Sequence, residues 1–232
     1  MPRKKPSGYE MHVISNTHWD REWRHPFQYT RMMLVDVMDT LLDILEKQPE
    51  YKCYHLDSQT IMIEDYLEIR PEKEAQIREF VKKGRIMAGP WYTCADMNVL
   101  SGEAIVRNLL LGHKIARSFG KVMKVGYTPF SFGHVAQLPQ IYAGFDIDSC
   151  MFYRGVGRDR AKAEFWWEAP DGTRVLTSQF SRRGRYNFYF HVYRPVVDGR
   201  APNVVAMDWE EIGQPMRCSD VPNQYNAVYA MD

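Results

Sequence analysis

The chain has 232 residues, 45% of them hydrophobic and 25% charged, enough apolar content for a sizeable core in one large domain or two small ones. With Lys+Arg at 30 against Asp+Glu at 29, the formal net charge of +1 gives no electrostatic case for nucleic acid or an anionic membrane as partner. No apolar run approaches the ~20 residues that span a bilayer, and "GYEMHVIS" after the basic start "PRKKP" is too short and polar for a signal-peptide core; a cytoplasmic protein is expected, with residues 1–9 a basic tail and 10–232 the folded part.

In chain order, "EMHVIS" predicts a short buried strand. A helix over "RMMLVDVMDTLLDILEKQ" comes next, with Leu34, Val37, Met38, Leu41, Leu42 and Leu45 at helical spacing. "KCYHLD" predicts a second strand. "TIMIEDYLEI" and "PEKEAQIREFVKKG" predict helices, the latter opening on Pro71 and closing on Gly84. "RIMAGPWY" is a third strand, and "SGEAIVRNLLLGHKIARSFG" a helix with Ser101 at its cap and Gly120 at its end. "VMKVGYT" is a fourth strand, "VAQLPQIYAG" a short helix despite Pro139, and "IDSCMFYRG" a fifth strand. Then "EFWWEA", the turn "PDGT" and "RVLTSQF" predict a β-hairpin. Cys53, Cys94, Cys150 and Cys218 form no CxxC pair, so reduced and mostly buried thiols are expected.

Strands separated by helices imply an α/β fold with a mainly parallel sheet and flanking helices, because parallel neighbours need long crossover connections. In such a sheet the strand C-termini lie on one edge, where ligands bind. Past the ends of the successive strands stand His18 and Asp20, then Asp57, then Trp91, then Phe130 to His134, then Arg154. His18 and Asp20, two positions apart, can face one side of an extended segment and hold a cation between them, although zinc generally takes at least three protein ligands. Trp19 and Trp23 beside them offer either core packing or the apolar faces that stack on a sugar ring. Asp57 reads equally as a sugar-hydroxyl ligand or as a cap for the next helix, and Trp91 as cleft wall or core. His134 reads as structural or as a support behind a ligand rather than a ligand itself, and His191, inside the aromatic run "NFYFHVY", as packed rather than ligating. His12, His25, His55 and His113 carry no partner pattern.

The runs "HVISNTHWDREW", "GPWY", "SGEAIVRNLLLG", "GYTPFSFGHVAQLPQI" and "FYRGV", in that order and continued by "FSRRGRYNFYF", resemble the N-terminal catalytic domain of bacterial-type α-mannosidases of glycoside hydrolase family 38. That resemblance implies an incomplete seven-stranded β/α barrel-like domain and retaining hydrolysis of terminal α-mannose in small glycans at one zinc ion. It assigns His18 and Asp20 to the zinc, Trp23 and Phe132 to the sugar subsite, and Arg154 to the same site; Asp96 stands where relatives carry an acidic pair of which only the first acid is kept here, and it and Trp91 are further candidate substrate contacts. The family places an aspartate, both zinc ligand and nucleophile, four residues before the His of "FGH"; here that position is Phe130. A phenyl ring can neither ligate zinc nor attack an anomeric carbon, and retaining chemistry needs two carboxylates. Ser131, its neighbour, has no base to activate it. The family's fourth zinc ligand, a histidine, and its acid/base aspartate are expected beyond this chain. The rival expectation is a non-catalytic carbohydrate-binding or regulatory relative of the same fold. A deacetylase-like metal hydrolase is disfavoured, since no second HxxxH or HxH pair occurs. Exposed strand edges and apolar surface in an incomplete barrel also predict either instability or association, the latter as a homo-oligomer.

Overall fold

The computed structural model describes residues 12–23, 25–128, 131–152, 154–156, 162–179, 194–197, 199 and 228–229. In chain order the elements are β1 (His12–Val13), β2 (Ser15–Asn16), α1 (Phe27–Lys47), β3 (Tyr54–His55), α2 (Ile61–Leu67), a 3-10 turn at Pro71–Lys73, α3 (Glu74–Lys82), β4 (Ile86–Met87), α4 (Gly102–Phe119), β5 (Gly126–Tyr127), α5 (Leu138–Ala143), β6 (Ser149–Phe152), β7 (Glu164–Glu168), β8 (Arg174–Gln179), α6 (Arg194–Val197) and β9 (Val228–Tyr229). The first predicted strand is split at Ile14: β1 pairs antiparallel with β9, and β2 joins a different sheet. Phe130, His191 and Cys218 lie outside the described residues.

β2, β3 and β4 form a parallel sheet in chain order, with Ser15 opposite Tyr54 and Tyr54 opposite Ile86. The second sheet runs β5-β6-β8-β7, parallel except for the hairpin strand β7. Met123 N donates to the Ala88 carbonyl at 2.9 Å and Trp91 Nε1 to the Tyr127 carbonyl at 3.1 Å, tying the segment after β4 to β5 and to the residues leading into it. A mainly parallel α/β architecture with flanking helices is therefore present. Among the described residues the pairings make a two-, a three- and a four-stranded sheet, and the barrel-like closure is not among them.

Each helix is seated by its apolar stripe. Met33, Leu34, Val37, Met38, Leu41, Leu42 and Leu45 of α1 are buried against Tyr54, Leu56 and Ile86 of the three-stranded sheet, together with α2 and α3 residues such as Met62, Tyr66, Ile77 and Val81. A second cluster joins Trp91, Ile105 and Leu109 to Leu138, Tyr142, Cys150 and Val175 under the four-stranded sheet. α4 serves both: Ile115, Ala116 and Phe119 enter the first cluster, Ile105 and Leu109 the second. Burying each such large side chain is worth roughly 1.5–3 kcal/mol, so α4 binds the two sheets into one body. Ser101 accepts the Ala104 N–H at 3.2 Å as the predicted N-cap, and Gly120 ends the helix at φ 141°. In α5, Pro139 occupies the first turn, where its missing N–H has no helical partner to lose. Gly112 lets α4 lie directly on the segment after β4, because a Cβ there would overlap the Pro90 carbonyl oxygen and the Trp91 carbonyl carbon.

Cys150 is buried, but Cys53 and Cys94 are only half-buried; the expectation of mostly buried thiols is corrected to one in three among the described cysteines, all of them free. Among the described residues, no helix is long and apolar enough to cross a membrane.

Candidate functional site

Because β2, β3 and β4 run parallel, the chain leaves all three at the same edge. His18 and Asp20 come after β2, and Asp57 after β3. Asp57 and Ser58 both adopt left-handed backbone, at φ 48° and 63°, which is uncommon for residues with a side chain. That turn aims the fully buried Asp57 carboxylate (0% exposed) across the rim at the β2 loop. Its Oδ2 accepts from His18 Nδ1 at 2.9 Å, from the Trp19 backbone N–H at 3.0 Å and from Gln59 Nε2 at 3.3 Å. Asp57 is thus not the helix cap that its position suggested; the N-cap of α2 is Thr60.

With Nδ1 donating to a carboxylate, the acceptor nitrogen of His18 is Nε2, which lies 3.6 Å from Asp20 Oδ1. Two ligand atoms each about 2.0–2.1 Å from one tetrahedral ion stand roughly 3.3 Å apart, so this pair is spaced to share a zinc. A second observation points the same way: Asp57 Oδ1 is buried with no hydrogen-bond partner. A fully buried acid with one oxygen unpaired calls for positive charge nearby, and a cation on the far nitrogen of its imidazole partner supplies it. His18 and Asp20 therefore fit two positions of a zinc site. Among the described residues no group of three or more His, Cys, Asp or Glu side chains is placed to hold a metal.

The loop carrying this pair is fastened beyond Asp20 as well. Arg21 makes a bidentate pair with Asp65 of α2, Nε to Oδ2 at 2.6 Å and Nη2 to Oδ1 at 2.8 Å, and its guanidinium lies 4.7 Å from the centre of the Phe27 ring. Of the two flanking tryptophans, Trp19 packs in the core and Trp23 presents its ring outward, 68% exposed. Trp91, 2% exposed with its indole N–H given to Tyr127, is core rather than cleft wall.

The remaining sequence-assigned residues lie past β5 and β6, strands of the other sheet. Phe132 is 71% exposed, and the Arg154 guanidinium sits over its ring at 4.8 Å from the centroid, a cation–π pair that brings two of the sequence-assigned residues together. His134 Nε2 donates to the Arg154 carbonyl at 2.9 Å, and burial lowers the His134 pKa, keeping the ring neutral, in line with a structural role. Ser131 is buried; its hydroxyl donates to the Gly133 carbonyl and accepts the Met97 N–H at 3.4 Å, so it ties a turn. Asp96 is half-buried, its Oδ1 accepting the Asn98 N–H at 3.3 Å.

Gln59, which no sequence pattern singles out, joins the β2 loop to the segment after β4. Its Nε2 donates to the Trp19 carbonyl at 2.9 Å, while its Oε1 accepts from Thr93 Oγ1 at 3.2 Å and from the Cys94 N–H at 3.1 Å. Asn108 of α4 then holds the Tyr92 and Thr93 N–H groups at 2.8 and 3.2 Å. Hydrogen bonds thus link the β2 loop through Gln59 to the 91–98 segment, and that segment through Met97 to Ser131. The only sequence signal for this role is a run of polar residues, Asp57 to Thr60, that the fold buries completely.

The family description "Glycosyl hydrolases family 38 N-terminal domain" matches residues 8–212. A candidate mannosylglycerate hydrolase from Halalkalibacterium halodurans is 44% identical over 178 residues, covering 71% of this chain and 20% of that protein. Alpha-mannosidase 2C1 of Homo sapiens is 31% identical over 176 residues, covering 73% of this chain and 17% of that protein. The crystal structure of an alpha-mannosidase from Enterococcus faecalis aligns with a TM-score of 0.69 at 38% identity, covering 72% of this chain and 20% of that one. The chain thus spans about a fifth of the length of the relatives it matches. Matched over most of its length in sequence and sharing its fold with a family mannosidase, the chain belongs to the N-terminal domain of glycoside hydrolase family 38.

Proposed function

We propose that the rim is the mannoside-binding half of a zinc-dependent, retaining α-mannosidase-type site, acting on terminal α-mannose of small glycans or glycosides. The observation that carries this reading is the His18–Asp20 pair, with Nε2 turned to Asp20 Oδ1 at 3.6 Å by the hydrogen bond from Nδ1 to Asp57. His18 and Asp20 would hold the ion, and a bound zinc would supply a fixed positive charge to sugar oxygens. Trp23 offers an outward apolar ring to a pyranose face, and the Phe132–Arg154 pair a second wall with a charged edge. Asp96 contributes a carboxylate to the loop beside that wall. The names of the relatives, mannosidases and a mannosylglycerate hydrolase, support a mannoside as ligand.

Phe130 at the nucleophile position favours the second reading, in which this chain binds a mannoside without cleaving it. Zinc titration by calorimetry, with and without α-methyl mannoside, and an assay with a chromogenic α-mannoside test both. The expected result is one zinc per chain, abolished by His18→Ala and tightened by Phe130→Asp; turnover by the wild type supports the first reading, and zinc-dependent mannoside binding without turnover the second. Mannoside binding indifferent to a chelator would replace the zinc reading with a metal-free binding module.

A further inference from the structure

We propose that Asp57 is a positioning residue for His18: its buried carboxylate fixes the tautomer and plane of the imidazole so that Nε2 is presented to a divalent cation. The inference deepens the zinc proposal and rests on it. Three observations carry it. The Nδ1–Oδ2 hydrogen bond of 2.9 Å spans two loops from different strands, so it is made by the fold and not by local sequence. The same oxygen accepts the Trp19 N–H, which fixes the backbone directly after His18 and leaves the ring little freedom to swing. And the acid is spent where a neutral amide would fasten the loop equally well. An asparagine oxygen could accept the His18 and Trp19 hydrogens without burying a charge, whereas Asp57 keeps Oδ1 buried and unpartnered. Negative charge behind an imidazole strengthens its other nitrogen as a ligand, and that is what the carboxylate adds to the hydrogen bond.

The left-handed backbone at Asp57 and Ser58 fits the same purpose. Two successive non-glycine residues at positive φ are a strained arrangement that persists only where the surroundings demand it. Here the return is a carboxylate pointed back along the rim toward the β2 loop. Gln59, bonded to both Asp57 and the Trp19 carbonyl, holds the turn in place.

The test is zinc titration of the whole chain and of Asp57→Asn, read by calorimetry alongside metal-free thermal unfolding. Asp57→Asn should bind zinc about 10–100-fold more weakly, while its metal-free melting temperature stays level or rises, because a buried charge has been removed. A purely loop-fastening Asp57 would give the opposite split: lowered melting temperature, unchanged zinc affinity. That outcome overturns the proposal and leaves the zinc reading intact. No zinc uptake by the wild type overturns both. Should Asp57→Asn fail to fold, nitrogen NMR of the wild-type imidazole decides: a proton on Nδ1 and none on Nε2 in the metal-free protein supports the assignment, and the reverse tautomer refutes it.

Discussion

His55 makes the fold sensitive to acid in a way that can be measured. It lies on β3, 5% exposed, with its ring edge-on to Tyr127 at a centroid distance of 5.2 Å. Burial disfavours the imidazolium and lowers its pKa from 6.5 to about 4, with the Asp57 charge opposing only in part. In the unfolded chain the same ring titrates near 6.5. Between those two values the unfolded state takes up a proton that the folded state refuses, so stability falls as pH drops from about 6.5 toward 4 and levels off below. At about 1.4 kcal/mol per unit, the shift is worth about 3 kcal/mol, a large part of the roughly 5–15 kcal/mol that holds a domain together. His55→Phe keeps an aromatic ring beside Tyr127 and removes the proton site. Urea unfolding of both proteins at fixed ionic strength, from about pH 7.5 down to about pH 4, reads the difference. The wild type should lose about 3 kcal/mol more than the variant across that window. His113 and His134, also held low by burial, are present in both proteins and cancel. Stability curves that run parallel over the whole range would refute the reasoning.

Gly112→Ala pushes a methyl group into the backbone of Pro90 and Trp91, which cannot turn aside as a side chain can. It should cost about 3 kcal/mol, the upper part of the overpacking range, and should weaken zinc binding as well, since the displaced segment is what Gln59 grips. A variant as stable as the wild type in urea would contradict the close approach of α4. Arg21→Met leaves Asp65 buried without its bidentate partner. Because Arg21 is itself 38% exposed on its side chain, the loss should be about 2 kcal/mol, below the range for a fully buried pair, and a shift in the urea midpoint measures it.

Local pattern carried much of the fold into view before any coordinates. The stripe from Leu34 to Leu45 is buried as its spacing requires, and Ser101 and Gly120 bound α4 where cap chemistry places them. "PDGT" turns the hairpin with Gly172 at φ 85°. His18 and Asp20 follow β2 of the three-stranded sheet and Phe132 and Arg154 follow strands of the four-stranded one, so the single edge expected of one parallel sheet is divided between two. The identity of residue 130 is a fact of the sequence alone, and it bears most directly on whether this chain can cleave.

What the sequence by itself determined, then, is the succession of strands and helices through the hairpin, the caps of α4 and the residue types available at the strand ends, since these depend on neighbours a few positions away. Only the tertiary structure decided how they are used. It buried Trp19 and Trp91 while leaving Trp23 and Phe132 outward. It gave the Asp57 carboxylate to an imidazole 39 positions earlier instead of to the helix beside it. It made Gln59 the bridge between loops. The reason is physical: helix period and turn chemistry are set within a few residues, whereas a buried polar group bonds to whatever the packing of distant strands brings within about 3 Å.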